Sequence, residues 1–317
     1  MLIDHTPQTQ DIKEAAQRIA PYIHRTPVLS SKSINQMTGA EVYFKCENFQ
    51  KCGAFKMRGA SNTVFSIPKD LLKNGVATHS SGNHAAAIAL AAQFAGTKAY
   101  IVMPKNSTEV KIKAVRGYGA EIIFSENTQQ SRESTLQEVV RKTGAYFIHP
   151  YDNYAVIAGQ ATAALELIEE HPDLEHIITP VGGGGLLSGT ALTAHYFAPN
   201  THVWAGEPEG ANDALLSMKK GEILPNQSVD TICDGLRTTV GEKTFPIIKT
   251  LVKGIISVSD AEVIEAMRLI WERMKIVVEP SCTVTLAAVL KAKEQFEGKK
   301  IGIILSGGNV DLKKLPF

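Results

Sequence analysis

The sequence predicts an α/β fold, with mainly parallel sheets flanked by helices and arranged in two lobes. Three observations carry that prediction. Short β-rich runs alternate with helical patterns from one end of the chain to the other. Most of those runs are unbroken apolar segments, as expected of strands buried on both faces. The length, 317 residues, exceeds that of a usual single domain. The predicted strands are, in order, Glu41–Cys46, Val76–His79, Lys98–Met103, Glu121–Phe124, Tyr146–His149, His176–Thr179, His202–Gly206, Ile255–Val258 and Lys300–Leu305.

Helices fill the intervals, with readable punctuation. Asn83 is placed to cap a helix over His84–Ala95 that stops at Gly96. Ser107 or Thr108 is placed to cap the next, which stops before Gly117. Ser259 and Glu262 form an S-x-x-E capping box ahead of Val263–Met274. No repeat, low-complexity tract or long linker marks a boundary. The compact βα run over 75–150 reads as a smaller inserted lobe, leaving 1–74 and 151–317 as the larger one.

Composition narrows the function. Apolar residues make up 44% and charged residues 21%, and the net charge of +1 comes from lysines and arginines spread along the whole length. That distribution offers no nucleic-acid footprint and no basic patch for a membrane surface. The four cysteines, Cys46, Cys52, Cys233 and Cys282, are scattered and form no C-x-x-C pair. They argue against a disulfide framework or a zinc site and fit a reducing compartment. The start, MLIDHTPQTQDIKEA, has no apolar core of a secretory signal, and the greasy run Ala85–Ala95 is too short to span a bilayer. A soluble, cytoplasmic protein acting on a small molecule is expected.

Four segments place small or polar residues where a strand should end, which is where open α/β sheets bind ligands. In Lys51–Gly59 the neighbours of Lys56 are small or apolar, which suits partial burial at a helix start. An ordinary lysine is a solvated surface charge, but burial and the positive end of a helix dipole would both depress an amine there toward neutrality. Neutral amines are what Schiff-base chemistry requires. The run Gly182, Gly183, Gly184, Gly185 lies between a strand and a helix. Four consecutive glycines are costly for a bland turn and let backbone N–H groups crowd around an anion. A P-loop is excluded by the missing G-K-[ST], and the dinucleotide spacing fails because Ser188 stands where its last glycine belongs. The loop His79–His84 offers hydroxyls and amides to a carboxylate, although a simple helix cap would also explain it. Leu305–Asn309 brings a serine, Ser306, to the end of the last strand before a Gly-Gly turn that could be mere punctuation.

Taken in this order, FKCENFQKCGAFKMRGA, THSSGNHAAA, PVGGGGLLSG, the DGL of Asp234–Leu236, WERMKIVVEP and LSGGNVDL resemble the fold-type II pyridoxal-phosphate enzymes, the tryptophan-synthase-β-like superfamily. Within it the chain most resembles the serine racemases and serine/threonine dehydratases, from about Pro27 to Leu312. The resemblance implies a Schiff base between Lys56 and pyridoxal 5′-phosphate, with Lys56 also acting as base on one face of the substrate Cα. It implies that Gly182 to Gly185 and the Leu186 N–H hold the phosphate. Asn83 would bond the cofactor's 3′-oxygen and Ser306 its pyridine nitrogen. A neutral serine there favours prompt β-elimination over a long-lived carbanion.

The same resemblance assigns the substrate carboxylate to Ser80, Ser81, Gly82, Asn83 and His84. Ser81 matches the second acid/base of serine racemases, on the face opposite the lysine, where many threonine dehydratases have alanine. Arg132 and His149 match the substrate cleft, and Arg132 is suited to steer a second carboxylate such as that of 3-hydroxyaspartate. Glu207, the Ala211 carbonyl and Asp213 reproduce the spacing of a divalent-cation site, with hard oxygens suited to Mg²⁺, Ca²⁺ or Mn²⁺; an acidic solvated turn is the plain alternative. A homodimer is also implied.

Some positions depart from the pattern. Ala54 replaces a serine common before Phe-Lys, and Ser-Cys-Thr-Val-Thr after Glu279-Pro280 replaces a Gly-containing run. Cys52 stands where the animal racemase has threonine in its nucleotide site, while Lys51, Lys111 and Tyr118 are kept, so activation by ATP is left open. The leading expectation is an ammonia-lyase converting serine, threonine or 3-hydroxyaspartate to a 2-oxo acid and ammonia. The alternatives are a serine racemase with elimination as a side activity, and a non-catalytic nucleotide-binding module that leaves Lys56 and Ser306 unexplained.

Overall fold

The computed structural model describes residues 3–107, 109–226 and 229–317. Ten strands and fourteen α-helices alternate among them. The chain opens with α1 (Thr9–Ile19), β1 (Val28–Ser30), α2 (Lys32–Thr38) and β2 (Glu41–Cys46), then α3 (Lys56–Ser66) and α4 (Lys69–Leu72). A βα run follows: β3 (Val76–His79), α5 (Asn83–Phe94), β4 (Ala99–Pro104), α6 (Glu109–Gly117), β5 (Glu121–Ser125), α7 (Gln129–Thr143) and β6 (Tyr146–Phe147). Beyond it come α8 (Tyr154–Glu170), β7 (His176–Pro180), α9 (Gly185–Phe197), β8 (His202–Pro208), α10 (Asp213–Lys220), α11 (Thr244–Leu251) and β9 (Val252–Val258). The chain ends with α12 (Asp260–Met274), α13 (Pro280–Lys291), α14 (Lys293–Phe296) and β10 (Lys300–Leu305).

These strands make two sheets. The larger runs β1-β2-β10-β7-β8-β9 and is parallel except for β1 against β2. The smaller runs β5-β4-β3-β6 and is wholly parallel. Each central strand is apolar and buried, because helices cover both faces. Separate hydrophobic cores lie under the two sheets: one packs α12 and α13 against the larger, the other packs α5 and α3 against the smaller. The run of alanines Ala85, Ala86, Ala87, Ala89, Ala91 and Ala92 is buried all round, so α5 is a core helix rather than an amphipathic one. No helix of the described residues is long and apolar enough to cross a membrane.

All nine predicted strands form, three of them residue for residue. The tenth, β1, is three residues at an antiparallel edge and shows no period to read. The Ser259–Glu262 capping box is present at α12. Two cap expectations change. Helix α5 starts at Asn83 itself, with Gly82 as the preceding cap residue, and the Asn83 amide is taken up elsewhere. Ser107 donates its hydroxyl to the Pro104 carbonyl, and Thr108 lies outside the described residues.

Candidate active site

Both sheets present the carboxyl ends of their strands to one region. The contacts between loops close a ring. Phe55 N donates to Ser306 O at 3.0 Å, and Ala54 pairs with Gly307 in an isolated antiparallel bridge. Lys56, first residue of α3, donates through Nζ to Pro150 O at 2.9 Å. Next to Pro150, the Tyr151 ring lies where a Cβ on Gly183 would have to be. A Cβ on Gly182 would come within 2.9 Å of Leu236 Cα, and Gly235 N donates to Ser281 Oγ at 3.0 Å. From there Glu279 reaches Asn83, and Glu279 N donates to Gly307 O, which returns to the start. The four segments singled out in the sequence therefore do converge.

Lys56 is the unusual charge here. Its ammonium has a carbonyl and the face of the Phe55 ring as neighbours but, among the described residues, no carboxylate partner. Burial draws it down to about 8. Ser306, at the end of β10, is buried. The glycine turn leads into α9 with Gly184 in the left-handed region (φ +88°), which excludes ordinary side chains. No side chain caps the N-terminus of α9, although Gly185, Leu186 and Leu187 are buried. A buried, uncapped helix N-terminus leaves N–H groups aimed at a site with a favourable dipole, and an anion satisfies both.

The loop after β3 supplies the opposite wall. Ser80 Oγ accepts from Gly82 N at 3.2 Å, which tightens the turn carrying Ser81. His84 is 2% exposed and, among the described residues, neither ring nitrogen makes a hydrogen bond of good geometry. Burial first, then the charge of Lys56, hold it well below the ordinary imidazole range, so it is neutral. His149 Nδ1 accepts from Asp152 N at 2.9 Å, which leaves its proton on Nε2 as a donor. Burial pushes that ring down to about 4. His79 and Tyr151 both pack edge-on against His149. Arg132, on α7, acts electrostatically on His79, and its buried Nε has no partner among the described residues.

The acidic constellation also assembles. Glu207, at the end of β8, accepts from Ala214 N and Leu215 N at 2.8 and 2.9 Å. Asp213 accepts from Asn226 Nδ2 and Val240 N. Both carboxylates and Ala211 are buried. Burial pushes Glu207 up to about 8, with Asp213 adding to it, and pushes Asp213 up to about 6. This is no solvated turn. Buried carboxylates of like charge are the arrangement that a divalent cation stabilises.

A family model described as "Pyridoxal-phosphate dependent enzyme" matches residues 19–307. The chain belongs to that family. It is similar to a serine racemase of Dictyostelium discoideum, 51% identical over 310 residues that cover 96% of each chain. It is also similar to a beta-hydroxyaspartate dehydratase of Paracoccus denitrificans, 46% identical over 313 residues covering 99% of each. Among solved structures, maize serine racemase superposes with a TM-score of 0.96 at 47% identity, covering 98% of this chain and 95% of that one. The fold is that of these fold-type II enzymes.

The residues present fit the family's cofactor. A depressed amine, a buried helix N-terminus without a cap and a buried hydroxyl at the end of β10 answer an aldehyde, a phosphate and a ring nitrogen respectively. Tyr151 and Glu279 take part in this ring although the sequence assigns neither of them a role there. A single acid inside the apolar run Ile-Val-Val-Glu-Pro was a legible sign that Glu279 is buried. Nothing local points to Tyr151.

Proposed function

We propose that the chain releases ammonia from a small hydroxy amino acid, and that the carrying observation is the unpaired, desolvated Lys56 amine beside the uncapped glycine turn. Pyridoxal phosphate, when bound, supplies an electron sink for the pair released as a bond at Cα breaks. The protein's own groups do the rest. Backbone N–H groups of Gly182, Gly183, Gly184, Gly185 and Leu186 hold the phosphate, Ser306 faces the pyridine nitrogen, and Asn83 faces the 3′-oxygen. Ser80, Ser81, Gly82, Asn83 and His84 bind the substrate carboxylate.

Lys56, neutral when freed, takes the Cα proton. The β-hydroxyl leaves as water, and water returns at Cα as ammonia departs. The sum is one hydroxy amino acid to one 2-oxo acid and one ammonia, with no net water consumed. Arg132 and the Nε2–H of His149 face the substrate beyond Cβ, which favours an acid such as 3-hydroxyaspartate alongside serine and threonine.

Ser81 supports a second reading. A hydroxyl on the face opposite Lys56 would return a proton to invert Cα, as the relatives named serine racemases suggest. Incubating L-serine, L-threonine and 3-hydroxyaspartate while measuring 2-oxo acid, ammonia and enantiomer ratio tests both. Elimination without inversion, unchanged in Ser81→Ala, supports the lyase alone. Inversion that disappears in Ser81→Ala, with 2-oxo acid retained, adds racemisation. A protein that forms neither product contradicts the proposal.

The remaining assignments belong with this reading. Glu207, the Ala211 carbonyl and Asp213 hold Mg²⁺ or a similar cation as a structural clamp. Residues 75–150 form the smaller, substrate-loop domain against 1–74 and 151–317, and the enzyme works as a cytoplasmic homodimer. ATP activation is disfavoured: Cys52, only partly buried, offers a thiol where the animal racemase has a threonine hydroxyl. Lys111, moreover, is engaged with Asp234.

A further inference from the structure

Glu279 is a buried acid with no part in the chemistry above. It occupies the cap position of α13, yet its carboxyl makes no bond to that helix. Instead Oε1 accepts from Asn83 Nδ2 at 2.8 Å, on the other lobe's first helical turn. The other end of the same amide is held too: Asn83 Oδ1 accepts from Asn309 Nδ2 at 2.9 Å. Asn309 Nδ2 also donates to Cys52 O at 2.8 Å, just ahead of Lys56. Room for both partners is made by glycines. A Cβ on Gly307 would meet Glu279 Oε1 at 2.6 Å, and one on Gly53, itself at φ +72°, would meet Asn309 Oδ1 at 2.5 Å.

An asparagine amide has two N–H donors and one carbonyl. Here one N–H and the carbonyl are committed, so a single N–H is left and its direction is fixed. We propose that Glu279 and Asn309 are positioning residues, clamping the Asn83 amide so that its one free N–H points at the cofactor's ring oxygen. This rests on the role given to Asn83 under the proposed function. Burial, then the charge of Asp234, push the Glu279 carboxyl up to about 8, against the opposing charge of Lys111. At neutral pH it is therefore an uncharged acceptor and brings no second negative charge to that oxygen.

The test is a cofactor titration of the apoprotein by fluorescence, with the visible absorption of the bound cofactor as second readout. N83A, E279L and N309A should each weaken cofactor binding by about three- to tenfold, the scale of one oriented hydrogen bond. All three should shift the absorption band in the same direction. E279Q, which still offers Oε1 to Asn83, should recover most of the loss. In the N83A background, E279L should add nothing. Asn309 is exposed, so N309A keeps the test decisive even where E279L folds poorly. Wild-type affinity and spectrum in N309A and E279L, beside a weakened N83A, would overturn the clamp alone, as would additive losses in the N83A/E279L double variant. An unaffected N83A would overturn the role of Asn83 itself and the clamp with it.

Discussion

Lys56 and Arg58 stand two residues apart on α3, and the protein treats their charges in opposite ways. Arg58 is fully buried and forked between two carboxylates, with Nε to Glu47 Oε2 and Nη1 to Glu166 Oε1, both at 2.7 Å. Lys45 adds a bond to Glu166 Oε2 at 2.6 Å, and the Thr26 hydroxyl donates to Glu47. Two cations and two anions cancel. Burial alone would lower Arg58, but hydrogen bonds and charge from Glu47 and Glu166 more than offset it and hold the guanidinium above its ordinary value. Lys56 has burial without an anion, and its amine falls to about 8. Compensated charge anchors the helix. Uncompensated charge is left free to react.

That contrast can be broken at either residue. The largest effect belongs to Lys56→Ala, which should cut 2-oxo acid formation by roughly three to four orders of magnitude. Its urea midpoint should stay near that of the wild type, because no ion pair is lost. Arg58→Met should do the reverse. Leaving Glu47 without a cation, and Glu166 with Lys45 alone, should cost ~3–5 kcal/mol in urea unfolding. A stable Arg58→Met, or an unstable Lys56→Ala, would dissolve the distinction.

A smaller effect tests the other uncompensated pair. If Glu207 and Asp213 share a cation, EDTA should lower the thermal midpoint by a few degrees and added Mg²⁺ should restore it. A midpoint indifferent to both would return the pair to a purely structural role.

The smallest effect is the pH dependence of cofactor capture by the apoprotein. Only the neutral amine of Lys56 attacks an aldehyde, and the neutral fraction grows as protons are lost. Capture should therefore quicken as pH approaches 8 and level off above it. An amine at its ordinary 10.5 would keep accelerating well beyond that point. Stopped-flow absorbance separates the two profiles.

Much of this was legible in the chain itself, for a physical reason. Buried parallel strands write their own apolar runs, so the sheets could be read nearly residue by residue. Only β1, too short and paired at an edge, escaped. Convergence of Lys56, the glycine turn, the Ser80–His84 loop and Ser306 follows from the strand ends of two sheets facing one region. Partners distant in sequence stayed hidden. Asn83 looks like a helix cap from its neighbours alone, because the acid that claims its amide lies 196 residues away. The glycine run suits an anion cradle, but packing also demands it: the Tyr151 ring fills the space at Gly183, and Thr244 and Ile248 fill it at Gly184.

The most direct test of the uncompensated lysine is chemical trapping. The purified holoprotein is reduced with borohydride, digested and mapped by mass spectrometry. The cofactor's pyridoxyl mass should appear on the peptide carrying Lys56 and nowhere else, and should vanish in Lys56→Ala. A label on Lys45, Lys51 or any other lysine, or a protein that yields no label at all, would contradict the account.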